Sequence, residues 1–315
     1  MYLRLSALLL FFLALVASCN SRSEAEQSVP LRLGLHTTRS IAAFWVAEEK
    51  GYFTEEGVDL KVSLYESALD RDRAFHDKAI DCMVTDLVGA ALLKGRGEKL
   101  RIVSPIVPGG LNEGRLAILA SPHSSIKRPI DLKGKRIGLS FNTIVDFATD
   151  KLLEEAGLSA QMVQKVSEPM IQQRLSRLLD GTLDAAILPE PLATTAQLKG
   201  AKVILDDHRN EYIHCVLAVQ EKSITKQKRD IEKMLVAVRR AAKEIRRDQN
   251  LYRQALLALG NAPKECEEAL RIVNGPKWDA SVEDQVREVV IWLKNKNAIK
   301  KDVSYPSLIE KDIRR

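Results

Sequence analysis

The chain has 315 residues, 45% of them hydrophobic and 29% charged, a globular balance that excludes a disordered, collagen-like or disulfide-dense protein. Its 48 Lys and Arg against 42 Asp and Glu leave a net charge of +6. That excess is small for the length, and no basic run interleaved with aromatics is present to follow a phosphate backbone, so nucleic acid is not an expected partner.

The first element is an apolar run from Leu5 to Val16, broken only by Ser6. It is shorter than the roughly 20 residues a membrane span needs and suits the core of a signal peptide. The run ends in Val16-Ala17-Ser18-Cys19, which resembles the bacterial lipobox. That resemblance implies cleavage before Cys19, a lipid on Cys19 and a membrane-anchored, extracytoplasmic domain. The alternative is an uncleaved anchor with a chance Cys. Residues 1–18 are thus the expected lipoprotein signal peptide, and polar residues 19–30 the expected tether.

Strand and helix patterns then alternate. Leu31–Leu35 reads as a strand, and Ile41, Phe44, Trp45 and Glu48 as a short helix closed by Gly51. Val58–Leu64, Asp81–Thr85 and Leu100–Ile106 read as further strands, with a polar helix over Ala68–His76 and a helix capped by Asp86 and stopped by Gly95. Arg115–Ser121 is a strand after a Pro/Gly-rich loop. A second series follows, with strands at Lys135–Ser140, Val163–Val166, Leu183–Leu188 and Lys202–Leu205. Its helices cover the stripe Ile144 to Ala156, Ile171–Leu179 and Pro191–Lys199. Tyr212–Val219 is expected to return the chain to the first series. Ile231, Leu235, Val238, Ala242 and Ile245, then Val282 to Leu293, predict C-terminal helices. Two βα series of this kind predict two lobes of mostly parallel sheet flanked by helices. Their similarity is architectural, with no sequence repeat visible.

Four Cys are present: Cys19, Cys82, Cys215 and Cys266. Cys82 and Cys215 lie in apolar strand-like runs and read as buried small hydrophobes. No CxxC or Cys/His cluster exists, so no metal or other cofactor is expected.

Ligands of open α/β sheets bind beyond the carboxyl ends of the strands. Three strand-to-helix turns there are polar and small: His36, Thr37 and Thr38; Thr85 and Asp86; and Ser140, Phe141, Asn142 and Thr143. Helix N-termini with hydroxyls beside them suit a polar or anionic group, though ordinary N-capping explains each turn singly. Phe141 either stacks on a ligand or packs in the loop. Glu190, between two prolines, either caps the helix begun by Pro191 or offers a cleft carboxylate to an amine. Trp45 reads as core. Asp86 and Glu190, if both face inward, would disfavour a bare anion.

The run Ala42-Ala43-Phe44-Trp45-Val46-Ala47-Glu48-Glu49-Lys50-Gly51-Tyr52-Phe53, then Glu55-Glu56-Gly57-Val58-Asp59-Leu60, carries a wider resemblance. So do Ile130-Asp131-Leu132-Lys133-Gly134-Lys135-Arg136-Ile137-Gly138, and Gly181-Thr182-Leu183-Asp184-Ala185-Ala186-Ile187 with Glu190-Pro191. From Leu31 to Leu308 the chain resembles the SsuA-like solute-binding proteins of ABC transporters, which handle sulfonates and thiamine-pyrimidine precursors. The family usually has Gly before the third strand, where this chain has Asp77-Lys78-Ala79.

The resemblance implies a type II periplasmic-binding-protein fold with lobe 1 from residues 31–118 and 217–315 and lobe 2 from 119–216, hinged by two crossing strands. It implies ligand contacts at His36, Thr37, Thr38, Thr85, Asp86, Ser140, Asn142, Thr143 and Glu190. The expected function is a monomeric, lipid-anchored binding protein, not an enzyme, that passes a small heterocycle or sulfonate to an ABC permease by lobe closure. The alternatives are an enzyme on the same fold, of the pyrimidine or menaquinone type, and a ligand-binding sensor.

Overall fold

The computed structural model describes residues 29–36, 42–106, 115–207, 215–248, 250–251, 253–255 and 281–313. The segment expected as signal peptide, most of the expected tether, Cys19 as the expected lipid site, and Cys266, Thr37 and Thr38 lie outside the described residues. Leu31–Arg315 clusters by its contacts as one unit. Among the described residues no helix is long and apolar enough to cross a membrane.

The first series runs β1 (Leu31–His36), α1 (Ala42–Glu49), α2 (Tyr52–Glu55), β2 (Leu60–Tyr65), α3 (Ala68–His76), β3 (Cys82–Thr85), α4 (Leu87–Gly95) and β4 (Leu100–Pro105). The second runs β5 (Leu116–Ala120), β6 (Arg136–Leu139), α5 (Ile144–Glu155), β7 (Gln164–Ser167), α6 (Ile171–Leu179), β8 (Ala185–Pro189), α7 (Leu192–Leu198) and β9 (Lys202–Asp206). The chain then forms β10 (Val216–Gln220), α8 (Glu221–Arg247), α9 (Ser281–Asn295) and α10 (Tyr305–Leu308). The result is a two-lobed α/β fold with one sheet per lobe, in the orders β2-β1-β3-β10-β4 and β7-β6-β8-β5-β9.

Each sheet has one antiparallel strand in the fourth position. In the first it is β10, between β3 and β4; in the second it is β5, between β8 and β9. Both inserted strands are buried along their whole length, as central strands must be. β5 pairs wholly in the second sheet and β10 wholly in the first. The sheets therefore divide before Leu116 rather than at 118/119. The two passages between them span residues 106–115 and 207–215, of which 107–114 and 208–214 lie outside the described residues.

Local sequence accounts for most elements. Leu31, Leu33 and Leu35 of β1 enter one core with Ala43, Phe44 and Val46 of α1 and with Ile231, Leu235, Val238 and Ile245 of α8. Trp45 only lines that core, half-buried. β2 alternates as expected, but it is an edge strand, so its apolar face meets water: Val62 and Leu64 are exposed. The opposite edge, β4, is covered by the C-terminal segment, through an Ile102–Ile309 bridge and a 2.8 Å bond from the Glu310 amide to the Ile102 carbonyl. Cys82 is fully buried, and burial pushes its thiol pKa up, as suits a packing residue. Cys215 is half-buried.

The turn that lacks the family's glycine closes with Lys78 itself left-handed, at φ 59°. That conformation costs a non-glycine residue about 1–2 kcal/mol. Lys78 also pairs with Glu98 at 2.8 Å. Burial pushes the Glu98 carboxyl up, but Lys78 and His76 hold it below the usual range.

The two lobes repeat each other in side chains as well as architecture, which the sequence alone did not reveal. In lobe 1, Arg32 of β1 forks onto Asp81, which also accepts from the Arg32 amide at 3.1 Å. In lobe 2, Arg136 of β6 does the same with Asp184, amide included at 2.9 Å. Two residues further on stand Gly34 and Gly138. A Cβ at Gly34 would collide with Ile80 and come 3.5 Å from Arg71 Cγ. A Cβ at Gly138 would collide with Leu183 and come 3.4 Å from Arg174 Cγ. Arg71 and Arg174 each stand ten residues before the paired aspartate and each donate from Nη1, at 3.0 Å, to a carbonyl of the neighbouring strand, Val84 in β3 and Ile187 in β8.

The lobes also touch. α5 belongs to the second series, yet its Phe147 is buried in a first-sheet core beside Val282 and Val286 of α9 and meets Trp292 edge-on, with centroids 5.5 Å apart. Asp146, with no exposed surface, binds Lys296 and Lys165, each at 2.6 Å, and accepts from the Asn142 amide at 2.9 Å. Asp150 accepts from Trp292 Nε1 at 3.0 Å and also pairs with Lys165. Lys151 reaches Glu288. Burial pushes Lys165 down, but the aspartates outweigh it and raise its pKa.

Candidate functional site

Three lobe 1 side chains gather at the carboxyl ends of β1 and β3. His36 closes β1, and its Nε2 lies 3.1 Å from the Glu66 carbonyl. A carbonyl only accepts, so Nε2 carries the proton and, in the neutral ring, Nδ1 is left as an acceptor. His36 keeps some exposed surface while protein atoms crowd it on most sides, as in a crevice. Crowding lowers its pKa to about 4, helped by the positive charges of Arg71 and Arg174. The ring is therefore neutral at pH 7.

Thr85 closes β3 and is buried, its Oγ1 accepting from Arg71 Nη2 at 2.9 Å. Arg71 enters from α3, whose Ser67 N-cap accepts from the Asp70 amide. Arg71 is 3% exposed and carries its own counterion, Asp72, at 2.7 Å. Asp86 caps α4, as the sequence predicts, taking the Gly89 amide at 2.7 Å.

On lobe 2, the turn from Ser140 to Thr143 joins β6 to α5. Asn142 is left-handed at φ 59°, and its amide is held by Asp146. Thr143 spends its hydroxyl on the Ser140 carbonyl at 2.7 Å. Ser140, Asn142 and Thr143 are half-buried, and Phe141 is 43% exposed. Glu190 is different. One oxygen accepts from Arg115 at 3.0 Å and the other from the Thr194 amide at 3.1 Å, inside α7. Arg115 also holds Asp206. Both oxygens of Glu190 thus have protein partners, and it shares the Arg115 guanidinium with Asp206.

The sequence reading missed Arg71 and Arg174. Arg174 lies in α6, 1% exposed, with Nε on the Glu168 carbonyl at 2.9 Å and Nη1 on Ile187. Its positive charge makes the smallest of the contributions to the His36 pKa, after burial, Arg71 and the Glu66 carbonyl. The one signal in the sequence is the ten-residue spacing from each arginine to its lobe's paired aspartate, which stands out only once the two Arg-x-Gly strands are known to be equivalent. Among the described residues no cluster of three His, Cys, Asp or Glu is placed to hold a metal.

A family model described as NMT1/THI5 like matches residues 38–250. A Haemophilus influenzae protein named for thiamine biosynthesis is 28% identical over 167 residues, 52% of this chain and 51% of its own, so the match spans about half of that relative. Among solved structures, the alkanesulfonate-binding protein SsuA of Xanthomonas axonopodis pv. citri, bound to MOPS, superposes with a TM-score of 0.77 at 16% identity, covering 89% of this chain and 97% of that one. The aliphatic sulphonate-binding SsuA of Escherichia coli gives 0.73 at 18% identity, covering 90% and 98%. The desulfurization enzyme DSZB shares the fold as well, at 0.65 and 15% identity over 90% and 97%. At these identities the structural likeness establishes the periplasmic-binding-protein fold.

Proposed function

The chain belongs to the NMT1/THI5-like family, and on that premise we propose that it is a solute-binding protein serving an ABC importer. The observation that supports it is that His36, Thr85 and Arg71 gather at strand carboxyl ends of the first sheet, while Arg174 reaches the Ile187 carbonyl near the carboxyl end of β8 in the second; ligands of this architecture bind at such ends. The solute class is a heterocycle such as a pyrimidine precursor, or a sulfonate. Binding favours the closed arrangement, and the closed form docks on a permease. Lobe 1 comprises residues 31–115 with 216–315, and lobe 2 the residues between. Cys19 carries the lipid that tethers the protein outside the inner membrane.

Because the fold also supports an enzyme, His36 deserves the role of test residue. Its low pKa makes it a poor proton acceptor at neutral pH, which favours binding over turnover. The experiment is a thermal-shift screen of the full chain in detergent against aminopyrimidines, sulfonates and small carboxylates. One class should raise the melting temperature, by about 2.7 kcal/mol of stabilisation at 100 times its dissociation constant, and be recovered unchanged. Chemical conversion of that compound, abolished in His36→Ala, would make the protein an enzyme instead. Labelling with an alkyne fatty acid, lost in Cys19→Ala, tests the anchor.

A further inference from the structure

We propose that Arg174 is the anion-binding residue of the cleft, taking an oxyanion of the solute (sulfonate, carboxylate or phosphate) from the lobe 2 side. This rests on the solute-binding reading and specifies its ligand.

The internal repeat supplies a control within the molecule. Arg71 and Arg174 occupy equivalent places in the two lobes, against equivalent glycines and strand carbonyls. Arg71 is fully provided for: Asp72 supplies a counterion, and Thr85 a further acceptor. The positions corresponding to Asp72 and Thr85 are Leu175 and Leu188, both buried. Lobe 2 has replaced both acceptors with hydrocarbon. Glu168 gives Arg174 only its backbone carbonyl and gives its carboxylate to Arg177 at 2.9 Å.

Arg174 therefore makes no ion pair among the described residues. It uses two of its five N–H groups. Nη2 has no acceptor among the described residues, and it is not among the unpartnered side-chain atoms sealed from solvent. A guanidinium buried without a counterion costs several kcal/mol, which an incoming anion would offset. Desolvation lowers its pKa only to about 10, so it remains charged at neutral pH. His36, whose pKa the Arg174 charge helps to lower, is neutral there, and Glu190 is paired with Arg115. The remaining N–H groups suit two oxygens of one planar or tetrahedral anion.

The test measures binding of matched pairs to the full chain: benzenesulfonate and benzenesulfonamide, benzoate and benzamide, phenyl phosphate and phenol, with 4-aminopyrimidine as the uncharged heterocycle. At least one anion should bind and its neutral twin should bind at least about tenfold more weakly, the loss expected for one charge-assisted hydrogen bond. Arg174→Met should abolish the preference. Arg174→Lys, which keeps the charge and folds more readily, should weaken the anion at least about tenfold because a single ammonium cannot form the fork. Anion binding unchanged in both variants would overturn the assignment. A parent chain that binds only 4-aminopyrimidine would overturn it while keeping the solute-binding reading. A parent that binds none of the compounds would overturn both.

Discussion

Asp146→Asn is the substitution whose effect follows most directly from the surroundings of one side chain. The carboxylate has no exposed surface, two ammonium groups at 2.6 Å and a backbone amide at 2.9 Å. Asparagine keeps one acceptor but turns an N–H₂ donor toward cations. Removing one partner of a buried pair costs about 3–5 kcal/mol. Asp150 still holds Lys165, and Lys296, with 27% of its side chain exposed, can turn to water, so the low end applies. At about 2 °C per kcal/mol for a chain of this size, the melting temperature should fall by roughly 6 °C. Lys296→Met should cost about 1 kcal/mol alone, and the double variant should fall short of the summed losses by at least about 1 kcal/mol. Thermal unfolding with the two single variants and the double variant measures this. An Asp146→Asn chain within about 0.5 kcal/mol of the parent, or strict additivity with Lys296→Met, refutes the reasoning.

Three further outcomes are expected. His36 has a folded pKa of about 4 against about 6.5 unfolded, so the unfolded chain binds the proton first and stability falls as pH drops from 6.5 toward 4; His36→Asn should flatten that window in pH-dependent melting. Burial pushes the Asp81 carboxyl up but its bonds from Arg32 outweigh this and lower the pKa, so its stabilisation is present above the unfolded value and lost as pH falls below about 4. Asp81→Asn should be less stable at pH 7 and show a smaller loss on acidification. Lys78→Gly relieves left-handed strain of about 1 kcal/mol or more and gives up an exposed ion pair worth at most about that much, so its melting temperature should stay level or rise; a drop of more than about 4 °C would contradict the strain argument.

Patterns with short range were readable in the sequence. The stripe from Ile231 to Ile245 packs on α1, the alternation of β1 fills a core, and Asp86 caps α4. Burial was less readable where position in the sheet decides it: Val62 and Leu64 have the right alternation for a covered strand but sit at an edge. The site was harder still. Thr85, His36 and the Ser140–Thr143 turn could be nominated because strand ends are predictable, but a buried arginine on a polar helix looks like a surface residue until its carbonyl partner in the next strand is known. Lys296 and Asp146 are 150 residues apart, and nothing local marks them as partners.

The placement of β10 has a consequence for how the molecule is made. The second sheet draws all five strands from one contiguous stretch, residues 116–206, whereas the first needs residues 216–220 inserted between β3 and β4. As the chain emerges from the N-terminus, lobe 2 can finish pairing while lobe 1 still holds two strands apart around an empty slot. A chain interrupted after residue 206 would thus contain one completed sheet and one open template, and the last third of the polypeptide decides whether the first third becomes protease-resistant.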